Sequence, residues 1–311
     1  MQTEHSLAPS SISDVERDTG VAKETLRVWE RRYAFPQPLR DAQGERLYPA
    51  EQVAKLRLVK RLMDLGYRPG KMMPHSAAHL QALAALTGKA DRQQPNPELQ
   101  SYLTLCKTHQ IDALRANLLQ AQATLGLKRL VIEVIAPLTA QVGAAWGRGE
   151  LAVFGEHLYT ETVQAVLRAA IFSISQQAGT GIATPRILLT TLPQERHGLG
   201  LLMAEALCME EGAHCISLGV QTPLLDIVEA ARTQRADIIA LSFSSAMNPR
   251  QANQGLSALR AALPASTALW AGGSCSALSK LLPAQVRILA LGEISADLAT
   301  WRDQHRNGAS D

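Results

Sequence analysis

The chain has 311 residues, of which 46% are hydrophobic and 19% charged, and its formal net charge is +3 at pH 7. This length exceeds one ordinary core and predicts two or three domains. No apolar run in the sequence approaches the ~20 residues that span a bilayer, and the N-terminal MQTEHSLAPSS lacks the apolar middle of a signal peptide. We therefore expect a cytoplasmic protein with no membrane partner.

The positive charge is concentrated near the N-terminus. Residues 1–80 hold 13 Lys and Arg against 10 Asp and Glu, whereas the remainder of the chain balances at 18 against 18. Within residues 20–72 the count is 12 against 6. So basic a segment is typical of a nucleic-acid-binding surface, although an ordinary solvated helix surface gives the same count.

The first part of the chain predicts a helix-turn-helix followed by a hairpin and a further helix. ISDVERDTGVAKETLRVWERRY predicts two helices around a turn at Gly20, with inward-facing Val21, Leu26 and Trp29. AFPQPLRDAQGERLYP is too rich in Pro and Gly for a helix and predicts a hairpin with its turn at DAQGE. PAEQVAKLRLVKRLMDLGY then predicts a helix with the apolar stripe Val53, Leu56, Leu58, Leu62 and Leu65.

The rest of the chain predicts a linker and two further domains. Residues 81–97 end in the Gly-, Pro- and polar-rich run LTGKADRQQPNP and are predicted to be a linker. Residues 98–180 contain four helical runs with short breaks, which is typical of a four-helix bundle. From 184 to 311, short apolar runs alternate with helical segments, which predicts a flavodoxin-like, doubly wound parallel sheet. The predicted fold class is therefore multidomain α and α/β, with a winged helix-turn-helix over residues 1–80.

The core T-L-R-x-W-E-R-R-Y at residues 25–33 and the R-L-Y at 46–48 resemble the DNA-binding domain of MerR-type transcription regulators. The resemblance covers most of residues 1–80 and implies double-stranded operator DNA as the partner. A recognition helix in the major groove would carry Lys23, Glu24, Thr25, Arg27 and Arg31. The wing would reach phosphates or a minor groove with Arg46 and Tyr48, although packing is an equal alternative for Tyr48.

A histidine lies at the entry to a helix, directly after the apolar run RILLTTL. This corner is where parallel α/β sheets bind ligands. The run E-x-H-x-x-G at 195–200 is followed after 41 residues by S-x-S at 242–244, and after 27 more by G-G at 272–273. The set resembles the D-x-H-x-x-G, S-x-L and G-G pattern of base-off, His-on corrinoid proteins. The resemblance assigns to cobalamin binding Glu195, His197, Gly200, Ser242, Ser244, Gly272 and Gly273.

Each of these residues has a chemical reason. Imidazole is a good axial donor to cobalt, so the resemblance implies that His197 is the lower ligand in place of the cofactor's own dimethylbenzimidazole. A carboxylate on the other ring nitrogen fixes the tautomer, a role that we assign to Glu195, and Ser242 is expected to hydrogen-bond that carboxylate. The glycines leave room for the displaced nucleotide tail. Two residues depart from the pattern, since Glu195 replaces Asp and Ser244 replaces Leu or Thr.

The helical region adds a second signature, a Trp followed after nine residues by Glu-His. It comprises Trp146, Val153, Glu156 and His157, and it resembles the W-x9-E-H of CarH and LitR type photoreceptors, which join a MerR-like domain to a cobalamin module. The resemblance implies that these residues cover the upper corrin face and favour the 5′-deoxyadenosyl group of adenosylcobalamin. Members commonly have a His directly after the Trp to take cobalt's upper position after photolysis. Here that residue is Gly147, which cannot ligate.

Together the resemblances imply a non-enzymatic, light-responsive repressor in the cytoplasm, associated with the nucleoid. In the dark, adenosylcobalamin would favour a homo-oligomer, expected to be a tetramer, that binds the operator, and photolysis of the cobalt–carbon bond would release it. A cobalamin sensor indifferent to light shares every motif. A corrinoid protein for methyl transfer leaves TLRVWERRY unexplained, and a metal- or drug-sensing MerR relative predicts ligand cysteines near the dimer helix, where the sequence has none.

Overall fold

The computed structural model describes residues 9–64, 67–87, 97–177, 184–275, 278 and 285–307. Contacts divide the chain into two compact units, Met1–Thr108 with Ala140–His157, and His109–Thr139 with Leu158–Asp311. Several sequence predictions lie outside the described residues: Leu65, most of the linker at 88–96, and the domain ends at 1–8, 178–180 and 308–311.

The first unit opens with the predicted helix-turn-helix, formed by α1 (Ile12–Thr19) and α2 (Lys23–Tyr33). Ser11 caps α1, because its hydroxyl accepts from the Asp14 amide while the Asp14 carboxylate accepts from the Ser11 amide. Gly20 ends α1 with a φ of 69°, a left-handed conformation that glycine adopts without strain. Val21, Leu26 and Trp29 are buried, which confirms the predicted inward face.

The predicted hairpin is part of a three-stranded antiparallel sheet. Strands β1 (Ser10–Ser11), β2 (Leu39–Arg40) and β3 (Arg46–Tyr48) lie in the order β1-β3-β2. The turn is at DAQGE as predicted: the Gly44 amide donates to the Asp41 carbonyl at 3.0 Å, and Gly44 has a φ of 81°. Strand β1 was not predicted, since two residues are too short to give a periodic signal.

Three helices complete the described core around the helix-turn-helix: α3 (Ala50–Asp64), α4 (Pro69–Met72) and α5 (Ala77–Thr87). Helix α5 crosses the predicted boundary at residue 80, so residues 81–87 are helical and not linker. The reason is packing, because Leu80 and Ala84 occupy one face of α5 and are buried against α3. This core includes Val15, Leu26, Trp29, Tyr48, Val53, Leu56, Leu58, Val59, Leu62, Met72, Leu80 and Ala84.

The four predicted helical runs of the middle region are helical. The first two runs are α6 (Pro97–Lys107) and α7 (Ile111–Leu125). The third is continuous and consists of α8 (Leu127–Arg129), a π-helical segment (Leu130–Ile135) and α9 (Ala136–Gly147). The fourth is α10 (Val153–Gln177). The Ile135 carbonyl accepts from the Thr139 hydroxyl at 2.7 Å and from the Tyr159 hydroxyl at 3.4 Å. Among the described helices, none combines the length and apolarity that crossing a membrane requires.

The second unit contains a five-stranded parallel sheet. The strands are β4 (Arg186–Thr190), β5 (His214–Gly219), β6 (Ile238–Phe243), β7 (Ala268–Gly273) and β8 (Val286–Leu289), and their order is β5-β4-β6-β7-β8. Helices α11 (Leu199–Glu210), α12 (Leu224–Thr233), α13 (Pro249–Ala262) and α14 (Ile294–Asn307) alternate with them. The strand order reverses at β4, which places a ligand crevice at the carboxyl ends of β4 and β6. The α and α/β fold class is confirmed.

Candidate functional site

The loop between β4 and α11 is fixed by its own hydrogen bonds. The Glu195 amide donates to the Leu192 carbonyl at 2.9 Å. The Thr191 hydroxyl donates to the Glu195 carbonyl at 2.7 Å and accepts from the Gln221 amide at 2.8 Å. Thr191 was not among the predicted site residues, because a threonine after an apolar strand carries no distinctive signal. These bonds hold the loop so that the Glu195 side chain points inward.

The Glu195 carboxylate is only 1% exposed and accepts four hydrogen bonds. Oε1 accepts from the His197 amide at 2.9 Å and from His197 Nδ1 at 2.6 Å. Oε2 accepts from the amide and the hydroxyl of Ser244, each at 2.8 Å. Burial opposes ionisation, but the bonds from His197 and Ser244 outweigh it and hold the pKa of Glu195 below its usual range. The site is therefore built around a buried, ionised carboxylate.

His197 is placed as a ligand requires. The bond from Nδ1 to the Glu195 carboxylate selects the tautomer of a neutral ring that has its proton on Nδ1 and its lone pair on Nε2. The imidazole is 59% exposed, whereas the carboxylate that holds it is buried. A single ring nitrogen with a fixed orientation thus faces outward at the carboxyl end of the sheet. The predicted pairing of Glu195 with His197 agrees with this geometry.

The two serines exchange the roles predicted for them. We expected Ser242 to bond the Glu195 carboxylate, but Ser244 makes both bonds to it. The reason is the end of β6 at Phe243: Ser242 is still inside the strand, while Ser244 begins the loop that turns back toward Glu195. Ser242 instead faces α11, with its hydroxyl 2.7 Å from the point where a Gly200 Cβ would be. The assignment of Ser242 to the carboxylate was wrong.

Beside Ser242 is a small open cavity of about 100 Å³ between α11 and the strands β6 and β7. Gly200, Gly272 and Gly273 line it, together with apolar side chains such as Leu241 and Trp270. A Cβ on Gly272 would approach the Leu289 carbonyl to 2.8 Å, and one on Gly273 would collide with the Phe243 carbonyl. The glycines thus keep backbone segments close and the cavity open. The glycines that were predicted to leave room for a nucleotide tail thus line one open space between strand and helix.

The second signature, residues 146–157, is named here the Trp146 segment and lies in the first unit. Trp146 is half-buried in the last turn of α9, and Val153 is the half-buried first residue of α10. Glu156 and His157 follow in the first turn of α10, where His157 Nε2 lies 3.7 Å from Glu156 Oε2. The side chain of His157 is 70% exposed and available to a ligand.

The predicted DNA contacts divide into exposed and internal residues. Arg27 and Arg31 are exposed on α2, and Lys23 and Thr25 are half-buried at its start. Arg27 NH1 lies 3.5 Å from Glu24, and Lys23 Nζ lies 3.7 Å from Glu16, both loose pairs. These four side chains are distributed along one helix, from its first residue to its last turn, which suits a recognition helix lying in a groove.

The wing residues are more constrained. Arg46 Nε donates to Glu30 at 2.8 Å, a half-buried pair that joins the wing to α2. Tyr48 is 0% exposed, and its hydroxyl has no hydrogen-bond partner among the described residues. Burial raises the pKa of Tyr48. The prediction that Tyr48 contacts DNA was wrong, because β3 turns this ring into the core beneath the helix-turn-helix.

Three families match the chain, and together they cover most of its length. Residues 10–71 match the MerR HTH family regulatory protein, and residues 98–171 and 185–293 match two B12 binding domain families. Among solved structures, the monomethylamine corrinoid protein of Methanosarcina barkeri superposes with a TM-score of 0.52 at 14% identity. It covers 66% of this chain and 99% of its own length, and it supports the fold alone.

Two curated relatives from Myxococcus xanthus match along most of their length. The HTH-type transcriptional repressor CarH is 32% identical over 83% of this chain and 86% of its own. The HTH-type transcriptional repressor CarA is 29% identical over 81% and 83%, respectively. Both names agree with the expectation of a regulator and not an enzyme. With a MerR-type DNA-binding region ahead of two B12-binding regions, the chain belongs to the family of HTH-type transcriptional repressors that includes CarH.

Proposed function

We propose that this protein is a transcriptional repressor that binds adenosylcobalamin, forms an oligomer on operator DNA in the dark and is released by light. The observation that carries the proposal is the Glu195–His197 pair beside a glycine-lined cavity, in a chain that begins with a MerR-type helix-turn-helix. Family membership supports the cobalamin-dependent regulator. The adenosyl group, the light response, the tetramer and the association with the nucleoid are the finer parts of the proposal.

The chain's own residues would hold the cofactor from two sides. His197 Nε2 would hold the cobalt, while the Glu195 carboxylate would fix the proton on Nδ1 and orient the ring. Gly200, Gly272 and Gly273 leave the space for the nucleotide tail. When bound, adenosylcobalamin supplies a cobalt–carbon bond that visible light breaks.

The upper side falls to the Trp146 segment. Trp146 and Val153 would offer an apolar wall to the adenosyl group, and Glu156 and His157 would offer polar contacts to its adenine and ribose. The adenosyl form would stabilise the DNA-binding assembly by binding it better than the dissociated state, so that losing the group shifts the population toward free subunits.

A second candidate, a cobalamin-sensing repressor that does not respond to light, shares every motif, and Gly147 bears on the ligation of the photoproduct and not on the light-sensitive cobalt–carbon bond. A glycine there cannot supply the upper ligand that the resemblance associates with the photoproduct. His157, ten residues after Gly147, would be the chain's own candidate to supply such a ligand.

One experiment separates these functions. The protein is loaded with adenosylcobalamin in the dark, and its absorption spectrum, sedimentation and affinity for a duplex selected from a random library are measured before and after green light. We expect larger particles and tighter DNA binding in the dark. Identical sedimentation and DNA binding in both states would leave the light-indifferent sensor. His197→Ala is the binding control, with cobalamin affinity expected to fall about 10- to 100-fold.

A further inference from the structure

The Arg61 side chain connects α3 to the last turn of α9 within the first unit. Arg61, in the last turn of α3, donates a hydrogen bond from NH1 to the Ala144 carbonyl at 3.0 Å. The two residues are 83 positions apart in the sequence. Ala144 lies in the last turn of α9, two residues before Trp146. The contact therefore joins the end of a helix packed in the DNA-binding core to the end of the helix that carries Trp146.

The environment of Arg61 favours a specific contact over a solvated charge. The guanidinium is half-buried, and burial together with the neighbouring Arg148 lowers the pKa of Arg61. A cation placed in this way needs a fixed acceptor, and the carbonyls at a helix C-terminus carry the negative end of the helix dipole. The Ala144 carbonyl also accepts from the Arg148 amide at 3.1 Å, so both bonds depend on the same turn of α9.

The connection continues from Arg61 into the helix-turn-helix. One turn earlier on α3, Arg57 forms a bidentate ion pair with Asp18 of α1, with Nε 3.0 Å from Oδ1 and NH2 2.5 Å from Oδ2. The apolar face of α3 is buried in the core that also contains Trp29 of α2. A shift of α3 would therefore move the helices that present Arg27 and Arg31.

We infer that Arg61 is a positioning residue that couples the Trp146 segment to DNA binding, by fixing the last turn of α9 against the last turn of α3. This inference rests on the proposed function, because it takes the Trp146 segment as the part that senses the cofactor. A rearrangement around Trp146 changes the position of the Ala144 carbonyl, and Arg61 transmits the change to α3.

The test is the substitution Arg61→Met in the full-length protein. Methionine fills a similar length of apolar space, and the Ala144 carbonyl keeps its bond from Arg148, so no buried acceptor is left unpaired. The measurement is the ratio of DNA affinities with and without adenosylcobalamin in the dark. We expect the variant to bind cobalamin with an unchanged spectrum. Its ratio of DNA affinities should be about tenfold smaller than that of the wild type, which corresponds to the loss of one hydrogen bond to a charged group.

Reciprocity provides a measurement that a loss of stability alone would not change. Coupling between two binding sites is mutual, so DNA should tighten cobalamin binding in the wild type by the same factor, and less in Arg61→Met. Hydrogen exchange on the wild-type protein adds a readout without cofactor: DNA should slow exchange of the Arg148 amide. Arg68→Met is the matched control, since it removes an exposed arginine at the start of α4, outside the contacts that join α9, α3 and α1, and should leave the coupling ratio intact.

The outcomes separate the inference from the proposed function. Full coupling in Arg61→Met, or an equal loss in Arg68→Met, would overturn the inference alone. Unchanged exchange of the Arg148 amide on DNA binding would overturn it even if the variant failed to fold. If the wild-type protein binds DNA equally with and without cobalamin, the proposed regulator fails, and the inference is then overturned for that separate reason.

Discussion

Glu195 illustrates how one buried carboxylate can define a ligand site. Removing a charge from water is unfavourable, and only its hydrogen bonds keep this group ionised. Two of the four bonds come from His197 and two from Ser244, so the carboxylate also ties the β4 loop to the end of β6. Losing the charge would therefore loosen both the imidazole and the crevice that surrounds it.

We predict that Glu195→Gln weakens cobalamin binding by about 10- to 100-fold, because the amide is a weaker acceptor for Nδ1 and also turns donors toward His197 or Ser244. Ser244→Ala removes one bond to the carboxylate and should have a smaller effect in the same direction. Titration by absorption spectroscopy measures both. Ser242→Ala is the matched control, and an effect larger than that of Ser244→Ala would restore the role first predicted for Ser242.

The residues of this site were mostly predictable from sequence, and the exceptions have a geometric cause. The spacing identified Glu195 and His197 because their relation is local, two residues apart in one loop. The choice between Ser242 and Ser244 depends on where β6 ends, and two serines in S-F-S are equivalent until that point is known. The predicted DNA contact of Tyr48 was wrong for a similar reason, since the sequence of a three-residue strand does not reveal which of its faces is buried.

At the scale of elements, the C-terminal end of α9 is held by charges from several parts of the first unit. Glu150 follows the helix and accepts hydrogen bonds from Nε and Nη2 of Arg148. It also accepts one from Lys107 of α6 at 2.8 Å. The Arg148 hydrogen bonds, opposed by burial and aided by Lys107, lower the pKa of Glu150 to about 2. This cluster lies directly after Trp146, so its integrity bears on the position of that ring.

The pKa of Glu150 predicts an acid-sensitive contribution to stability. A carboxyl with a folded-state pKa of about 2 and a reference value of 4.5 stabilises the fold above pH 4.5, and this contribution is lost as the pH falls toward 2. The free energy of unfolding, measured with urea at pH 5 and at pH 3, should therefore fall less between these two pH values for Glu150→Gln than for the wild type. Glu229→Gln removes a fully exposed pair with Arg232, so its fall in unfolding free energy between the two pH values should stay closer to that of the wild type. Equal falls in unfolding free energy for Glu150→Gln and Glu229→Gln would contradict the stabilising role of the Glu150 cluster.

Long periodic elements were predicted well, whereas short or irregular ones were not. Helices α2 and α3 and the sheet strands follow clear apolar periods. The run AAHLQALAALT is apolar almost all round, so its helix was obscured and the boundary was placed at residue 80, inside α5. The π-helical segment is invisible in the sequence, because its LVIEVI reads as ordinary helix. The structure reveals it through the Ala136 amide, which donates to the Val131 carbonyl five residues earlier.

For the whole molecule, the location of the positive charge predicts how DNA binding depends on salt. We expect Arg27→Ala or Arg31→Ala to weaken binding to the selected duplex by about 1–3 kcal/mol for a base contact, or to lower the salt slope by about one for a phosphate contact. The cobalamin spectrum should not change. Arg232→Ala removes an exposed arginine from α12 and should leave DNA affinity at the wild-type level. If both α2 variants bind the duplex as tightly as the wild type, α2 is not part of the DNA interface.

The interleaving of the two units along the chain limits how the protein can be recombined. Residues 140–157 belong with the N-terminal unit although they lie far downstream, so the polypeptide passes between units at 108/109, 139/140 and 157/158. A chimera made by one splice after α5 would pair Ala144 and Trp146 with a foreign α3, which would need an arginine at the position of Arg61 to keep the contact. Functional exchange of DNA specificity within this family would then require either a transplanted 140–157 segment or an acceptor domain with a cation at the position of Arg61.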